Sequence, residues 1–165
     1  DTSMLLCYES NQVGSLPFGD TIKRELWGND YLVPVVGGKL RFSVKDSGLI
    51  PLETPSIVYP EDSYFGEVLS ANKRNFGTPN FSKSAVCETA FSNGLKEMVT
   101  KGIGVGWLPV SMIHRELENG QLISLSNSYG KELLEVAVYA DTKDEMSLSL
   151  LDIWGFKQRT SNKLI

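Results

Sequence analysis

The most reactive side chains in this 165-residue sequence are its single histidine, His114, and its two cysteines, Cys7 and Cys87. Nucleophilic catalysis needs a base beside the nucleophile, a third group that orients the base, and an oxyanion hole. No motif around Cys87 or His114 supplies the orienting group or the oxyanion hole. We therefore predict that the chain is not an enzyme.

The same residues are poor candidates for holding a metal or a cofactor. Both cysteines are isolated and lack CxxC spacing, so neither a disulfide framework nor a zinc site is indicated, and two buried thiols are expected. Metal sites need several clustered His, Cys or carboxylate ligands. A dinucleotide fingerprint needs glycines between a strand and a following helix, whereas residues 101–109 place them after a helix. The sequence predicts no metal site and no cofactor.

Chemistry suited to ligand binding occurs where a predicted strand leads into a predicted helix, at residues 59–65 and again at residues 88–91. In open α/β sheets, ligands bind beyond the carboxyl ends of the strands, where helix N-termini present unpaired N–H groups and partial positive charge. Aromatic and hydroxyl side chains at such positions favour a small anion or carboxylate as the ligand.

Each of these residues also has a purely structural interpretation. Ser63 and Thr89 suit helix capping as well as they suit ligand contact, and Asp62 is an alternative cap to Ser63. For Phe65 and Phe91, packing in the core is slightly favoured over ligand contact.

The segment KGIGVGWLP at residues 101–109 has the clearest local pattern. Before it, apolar residues at helical spacing predict a helix with one buried face: Phe91, Leu95, Met98 and Val99. Gly102 lies where a left-handed C-cap is expected, and the alternation over 103–107 predicts a short buried strand. Pro109 suits the first turn of a second helix, which the pair Asn119-Gly120 ends.

The rest of the chain also alternates between the two kinds of element. Strands are predicted at 4–8, 21–27, 31–36, 55–60, 81–87, 122–125 and 133–140. Helices are predicted at 64–76 and near the end of the chain, where the packing face comprises Met146, Leu150, Ile153 and Trp154. Strands alternating with helices predict a largely parallel sheet covered by helices on both faces.

The composition excludes several classes of protein. Hydrophobic residues make up 41% of the chain and charged residues 22%, as is usual for globular domains. No apolar run is long enough to cross a bilayer and no signal peptide is evident, so the cytoplasm is the default location. The net charge of −4 makes this segment a poor candidate for holding DNA, which demands clustered Lys and Arg.

The glycine-rich segment at 101–109, together with the turn ENGQL at 118–122, resembles the effector-binding domain of LysR-type transcriptional regulators. The resemblance implies an α/β, two-lobed, periplasmic-binding-protein-like (type II) fold with mixed, mostly parallel sheets and an incomplete first lobe. The implied division is 1–33 in lobe I, 34–137 in lobe II, and 138–165 returning to lobe I. The two crossings imply a cleft between the lobes.

The resemblance also implies the function. A small effector would bind between the lobes and control DNA binding and transcription, with DNA contacted only through a helix-turn-helix domain that this chain lacks. A homodimer or homotetramer is expected, and no membrane partner. The family's effector-lining positions correspond here to Tyr59, Ser63, Tyr64, Phe65, Thr89, Ala90 and Phe91. The alternative is a solute-binding protein of a transport system, which shares this plan.

Within the family, the segment DSYFG at 62–66 and the segment GVGWLP at 104–109 are most similar to the hypochlorite-responsive members. Those members sense oxidant through methionines, because sulfoxide formation makes an apolar side chain polar. Phe65 and Phe91 stand where such methionines would align. An oxidant switch therefore remains a separate hypothesis, which would act through Met98, Met112 or the two cysteines.

Overall fold

The computed structural model describes residues 3–10, 18–76 and 85–161. Its helices are α1 (Tyr64–Phe76), α2 (Ser92–Thr100), α3 (Val110–Glu118), α4 (Ser126–Tyr129) and α5 (Glu145–Ser161), with a 3-10 helix at Gly38–Ser43. Its strands are β1 (Met4–Glu9), β2 (Ile22–Gly37), β3 (Ser56–Val58), β4 (Ala85–Glu88), β5 (Gly106–Pro109), β6 (Leu122–Ser124) and β7 (Glu132–Asp141). The strand predicted at 81–87 is described only from residue 85 onward.

The strands form two sheets. One has the order β1-β7-β2-β5, with β6 also paired to β2, and the other contains β3 and β4. The pairs β1–β7, β2–β5 and β2–β6 are antiparallel. Parallel pairing among the described residues is confined to β3–β4 and a bridge between Ser56 and Val105. The α/β class is as predicted, but parallel pairing is less extensive than expected.

The chain divides into two compact units. Unit 1 comprises Asp1–Asn29 and Leu134–Ile165, and unit 2 comprises Asp30–Leu133. Strand β2 carries the chain from unit 1 into unit 2, and β7 carries it back. The lobe changes predicted at 33/34 and 137/138 fall inside these two strands.

Unit 2 has a core built from the apolar faces of its strands and helices. A cluster beneath the 3-10 helix comprises Val36, Ile50, Val105, Leu125 and Tyr129. The Tyr129 hydroxyl accepts a hydrogen bond from Ile50 N at 2.9 Å, so this buried phenol is not left unpaired. Leu95 and Val99 of α2 are fully buried, as the predicted helix face requires.

The packing face predicted for α5 is wrong. Met146 is 73% exposed, and Leu150 and Ile153 are exposed as well, whereas Leu151 packs with Val138 and Ala140. Because apolar residues occur on more than one side of this helix, spacing alone did not show which side faces the core. The side chain of Trp154 lies outside the described part of the chain.

Candidate functional site

The candidate site is built at the edge where β3 and β4 end. These strands are parallel, with Val58 opposite Glu88, and Thr89 N donates a hydrogen bond to Val58 O at 2.9 Å. Because the carboxyl ends of parallel strands lie at the same edge of a sheet, the segments leading into α1 and α2 both start there. The N-termini of these two helices are therefore the ones that the sequence analysis singled out.

Of the two caps that the sequence offered for α1, Asp62 and Ser63, the structure uses Ser63. Its Oγ accepts a hydrogen bond from Gly66 N at 3.2 Å and donates one to Pro60 O at 2.6 Å. A serine that accepts from the third residue of the helix satisfies one of the N–H groups that every helix leaves unpaired at its start. The hydroxyl proton of Ser63 is thus used within the chain, and contact of Ser63 with a ligand stays a prediction.

Gly66 keeps the start of α1 close to the preceding loop. A Cβ atom at this position would lie 1.9 Å from Pro60 O, a distance that no side chain can occupy. The segment DSYFG therefore has a structural reason for its glycine, namely the close approach of helix and loop.

Aromatic rings surround the start of α1. Tyr59 is only 6% exposed, and its ring meets that of Phe65 edge-on with centroids 5.3 Å apart. Phe65 in turn contacts Tyr64 at 5.7 Å. Burial raises the pKa of Tyr59 to about 12, so its hydroxyl stays protonated at neutral pH. These three predicted site residues form one cluster, in which Phe65 is half-buried.

The start of α2 differs from the prediction. The helix begins at Ser92 with Phe91 as N-cap, and no side chain caps it. Thr89 Oγ1 accepts a hydrogen bond from Phe91 N at 3.1 Å, so it stabilises the turn before the helix rather than the helix itself. The N–H groups in the first turn of α2 therefore lack the side-chain acceptor that Ser63 provides for α1.

Phe91 does not pack in the core. It is 66% exposed, although its spacing to Leu95 matched a buried helical face. The reason is that Phe91 precedes the helix in extended conformation, with φ −89° and ψ 97°, so its side chain does not follow the helical stripe. Ala90 beside it is also exposed.

Two residues that the sequence analysis did not nominate join the two helix starts. The Tyr59 hydroxyl lies 2.9 Å from Trp107 O and 3.4 Å from Ser92 Oγ. Trp107 belongs to β5, and Ser92 is the first residue of α2. Ser92 could have been found only by placing the start of α2 correctly, because nothing in its own spacing marks it.

The segment at 101–109 holds α2 against β5 as its pattern predicted. Gly102 has φ +77°, and its N–H donates to Val99 O at 2.9 Å, while Ile103 N donates to Met98 O at 3.1 Å. This pair of bonds is a Schellman C-cap, which needs a left-handed residue. The strand that follows starts later than predicted: Ile103 is exposed, and β5 begins at Gly106.

The residues considered for catalysis or metal binding are dispersed. His114 is exposed and lies 3.5 Å from Glu118 on α3. Cys7 and Cys87 are both partly exposed rather than buried, since β1 and β4 each leave them near solvent. Within the described residues, no group of three or more His, Cys, Asp or Glu side chains could hold a metal ion.

Among the residues that the structure describes, none of the helices combines the length and the apolar character needed to span a bilayer.

The whole arrangement has the fold of the regulatory domains of LysR-type transcriptional regulators, which confirms the predicted fold class. The regulatory domain of HypT from Salmonella typhimurium matches with a TM-score of 0.70 at 19% identity, over 96% of this chain and 74% of that one. Full-length HypT, a hypochlorite-specific LysR-type regulator, matches with a TM-score of 0.71 at 20% identity, over 95% of this chain and 53% of that one. LysG from Corynebacterium glutamicum matches with a TM-score of 0.61 at 15% identity, over 92% and 49%.

A curated protein that is similar in sequence is also a transcriptional regulator. The chain is 30% identical over 78 residues to the HTH domain-truncated transcriptional regulator QseD of Escherichia coli O157:H7, a stretch that covers 47% of this chain. The match spans 31% of the relative's length, so it covers about a third of that protein. No family model matches the chain.

Proposed function

We propose that this chain is the effector-binding regulatory domain of a LysR-type transcription factor, and that its effector is a small anion or carboxylate. The fold match over nearly the whole chain supports the class of protein. In this role the chain acts in the cytoplasm, catalyses nothing, associates with copies of itself, and leaves DNA contact to a helix-turn-helix domain elsewhere in the protein.

The observation that carries the choice of ligand is the uncapped start of α2. Phe91 offers no acceptor to the first N–H groups of the helix, and the first turn contains no acidic residue. Unpaired N–H groups at a helix start, with the positive end of the helix dipole, form a favourable place for an anion. The exposed side chains of Ala90 and Phe91 leave this place accessible.

Two of the solved relatives hold ligands consistent with this class. The HypT regulatory domain, 20% identical to this chain, has been solved with a bromide ion bound. LysG has been solved with the effector Arg, which carries a carboxylate. Predicted contacts in this chain remain Tyr59, Ser63, Tyr64, Phe65, Thr89, Ala90 and Phe91.

Calorimetry tests the proposal. The chain is titrated with sodium bromide, sodium sulfate, acetate, benzoate and arginine, and at least one of them is expected to bind in the millimolar range or tighter. The variant Ala90→Glu places a carboxylate beside the start of α2, and it should weaken anion binding by about tenfold, because like charges a few ångströms apart repel by about 1 kcal/mol or more.

The matched control is Ala85→Glu. Ala85 is also exposed but stands at the opposite end of β4, so the same added charge should leave affinity nearly unchanged. Equal weakening by both variants would place the anion elsewhere. Failure of every ligand in the panel to bind would reject the proposed effector class.

A further inference from the structure

The Tyr59 hydroxyl contacts two oxygen atoms, the carbonyl oxygen of Trp107 and the hydroxyl oxygen of Ser92. The Tyr59 hydroxyl has one proton and lies 2.9 Å from the carbonyl oxygen of Trp107, which can only accept. The proton of Tyr59 is therefore used in that bond. The longer contact of 3.4 Å between the hydroxyl of Tyr59 and Ser92 Oγ must then be formed by the proton of Ser92.

This assignment gives the two hydroxyls different roles. Tyr59 is buried, and its proton is held by a buried backbone carbonyl, so releasing it to a ligand would leave that carbonyl unpaired. Ser92 is half-buried and begins the uncapped helix, and its contact with Tyr59 is near the limit for a hydrogen bond. Its proton can turn from Tyr59 to an approaching anion at little cost.

We propose that Ser92 contacts the effector, and that Tyr59 is a positioning residue that holds the Ser92 hydroxyl until the effector takes its proton. The proposal rests on the proposed function and adds Ser92 to the site. In this proposal Tyr59 does not touch the effector itself but acts through Ser92. The two roles predict opposite changes in effector affinity when the Tyr59 hydroxyl is removed: tighter binding if Tyr59 only positions Ser92, and weaker binding if Tyr59 contacts the effector.

The first measurement needs no ligand. The chain is labelled at tyrosine Cζ with carbon-13, and the Tyr59 resonance is identified from its loss in Tyr59→Phe. If Ser92 donates to Tyr59, Ser92→Ala removes that bond and shifts the Tyr59 signal while the other tyrosine signals stay in place. An unchanged Tyr59 signal in Ser92→Ala overturns the proposal.

The second measurement is the affinity for sodium bromide, followed through the amide signals of α2. Tyr59→Phe leaves the Ser92 proton without a partner, so bromide should bind about two- to fivefold more tightly, the equivalent of losing a weak competing hydrogen bond. Ser92→Ala removes a donor to a charged ligand and should weaken bromide by about tenfold or more. Weaker binding in Tyr59→Phe would make Tyr59 a direct contact and overturn the proposal.

Tyr129→Phe is the matched control. It removes a hydroxyl from another buried tyrosine and leaves Ile50 N without its acceptor, so its general effect on folding should resemble that of Tyr59→Phe. Its bromide affinity should equal that of the unaltered chain. If no anion in the calorimetric panel binds the unaltered chain, the proposed effector class fails by itself, whereas the carbon-13 result still decides whether Ser92 donates to Tyr59.

Discussion

Gly66 and Gly94 occupy the same place in their helices, the third residue after the N-cap, but their surroundings differ. A Cβ on Gly66 would lie 1.9 Å from Pro60 O, whereas a Cβ on Gly94 would meet only the Phe91 ring at 3.0 Å. Phe91 is largely exposed and can move aside, but the carbonyl of Pro60 belongs to the backbone. The two glycines should therefore respond differently to the same substitution.

We predict that Gly66→Ala destabilises the chain by about 1–3 kcal/mol, the usual cost of forcing an extra carbon into a packed place. Alanine is otherwise the better helix former by about 1 kcal/mol, so this result would mean that the clash outweighs helix propensity. The control Gly94→Ala should be neutral or stabilising by up to about 1 kcal/mol. Urea denaturation measures both, and a stabilised Gly66→Ala would contradict the geometry.

The residues that sequence reasoning placed correctly are those whose role depends on near neighbours in the chain. Ser63 as an N-cap and Gly102 as a C-cap each act within a few residues of themselves. Phe91 was misplaced because a single position at a helix boundary changes where a side chain points. The Tyr59–Trp107 bond joins residues far apart in sequence, so no local pattern could have indicated it.

At the scale of elements, helices α2 and α3 are tied together by Lys96. Its Nζ forms an ion pair with Glu116 Oε1 at 2.8 Å and donates to Met112 O at 2.9 Å. The hydrogen bond from Lys96 is the main cause of a lowered pKa for Glu116, relative to 4.5 for a free glutamate. Both side chains are mostly covered, so the pair is shielded more than an ordinary surface ion pair.

The lowered pKa of Glu116 determines how the stability of the fold changes with pH. Because the folded chain binds the Glu116 proton less readily than the unfolded chain, the pair stabilises the fold above the ordinary glutamate pKa, and this stabilisation is lost as pH falls through the folded pKa. We predict that Glu116→Gln is less stable than the unaltered chain at pH 7, and that the difference shrinks toward pH 3. Denaturation midpoints across this range provide the measurement.

Glu118→Gln is the control for that series. It removes the same charge from the same helix, but Glu118 is exposed and its described partner is His114 rather than Lys96. A stability difference for Glu116→Gln that stays constant from pH 7 to pH 3 would show that the Lys96 pair is not its source.

The existence of most elements followed from periodicity, but their extent and pairing did not. The separate strands predicted at 21–27 and 31–36 are one continuous strand, β2, because the polar residues between them still alternate in an extended conformation. The brief helix α4 was not predicted, since four residues carry too little periodicity. Antiparallel pairing of β2 with β5 and β6 depends on contacts between distant segments, which spacing within one segment does not encode.

At the scale of the molecule, the resemblance implied a division into two lobes, and its predicted boundaries at 33/34 and 137/138 lie four residues beyond the boundaries between the two compact units. The resemblance through the glycine-rich segment and the ENGQL turn supplied the fold, which the solved regulatory domains confirm. The proposed contacts at α2 depend on where this helix starts, and spacing alone places a helix boundary only to within a few residues.

The net charge of the whole chain predicts that the chain alone does not bind duplex DNA. Binding to duplex DNA requires Lys and Arg to neutralise phosphates, and this chain carries 16 basic against 20 acidic residues, for a net charge of −4. We expect no binding of a fluorescent 30-base-pair duplex, judged by anisotropy at about 100 mM salt, up to protein concentrations of about 100 µM, the weak limit of non-specific binding. A fusion of the chain to the helix-turn-helix domain of a LysR-type regulator should bind the same duplex, and this binding should weaken steeply as salt rises. Salt-dependent binding by the chain alone would instead show that its surface contributes to DNA recognition, and the separation of sensing from DNA contact would have to be abandoned.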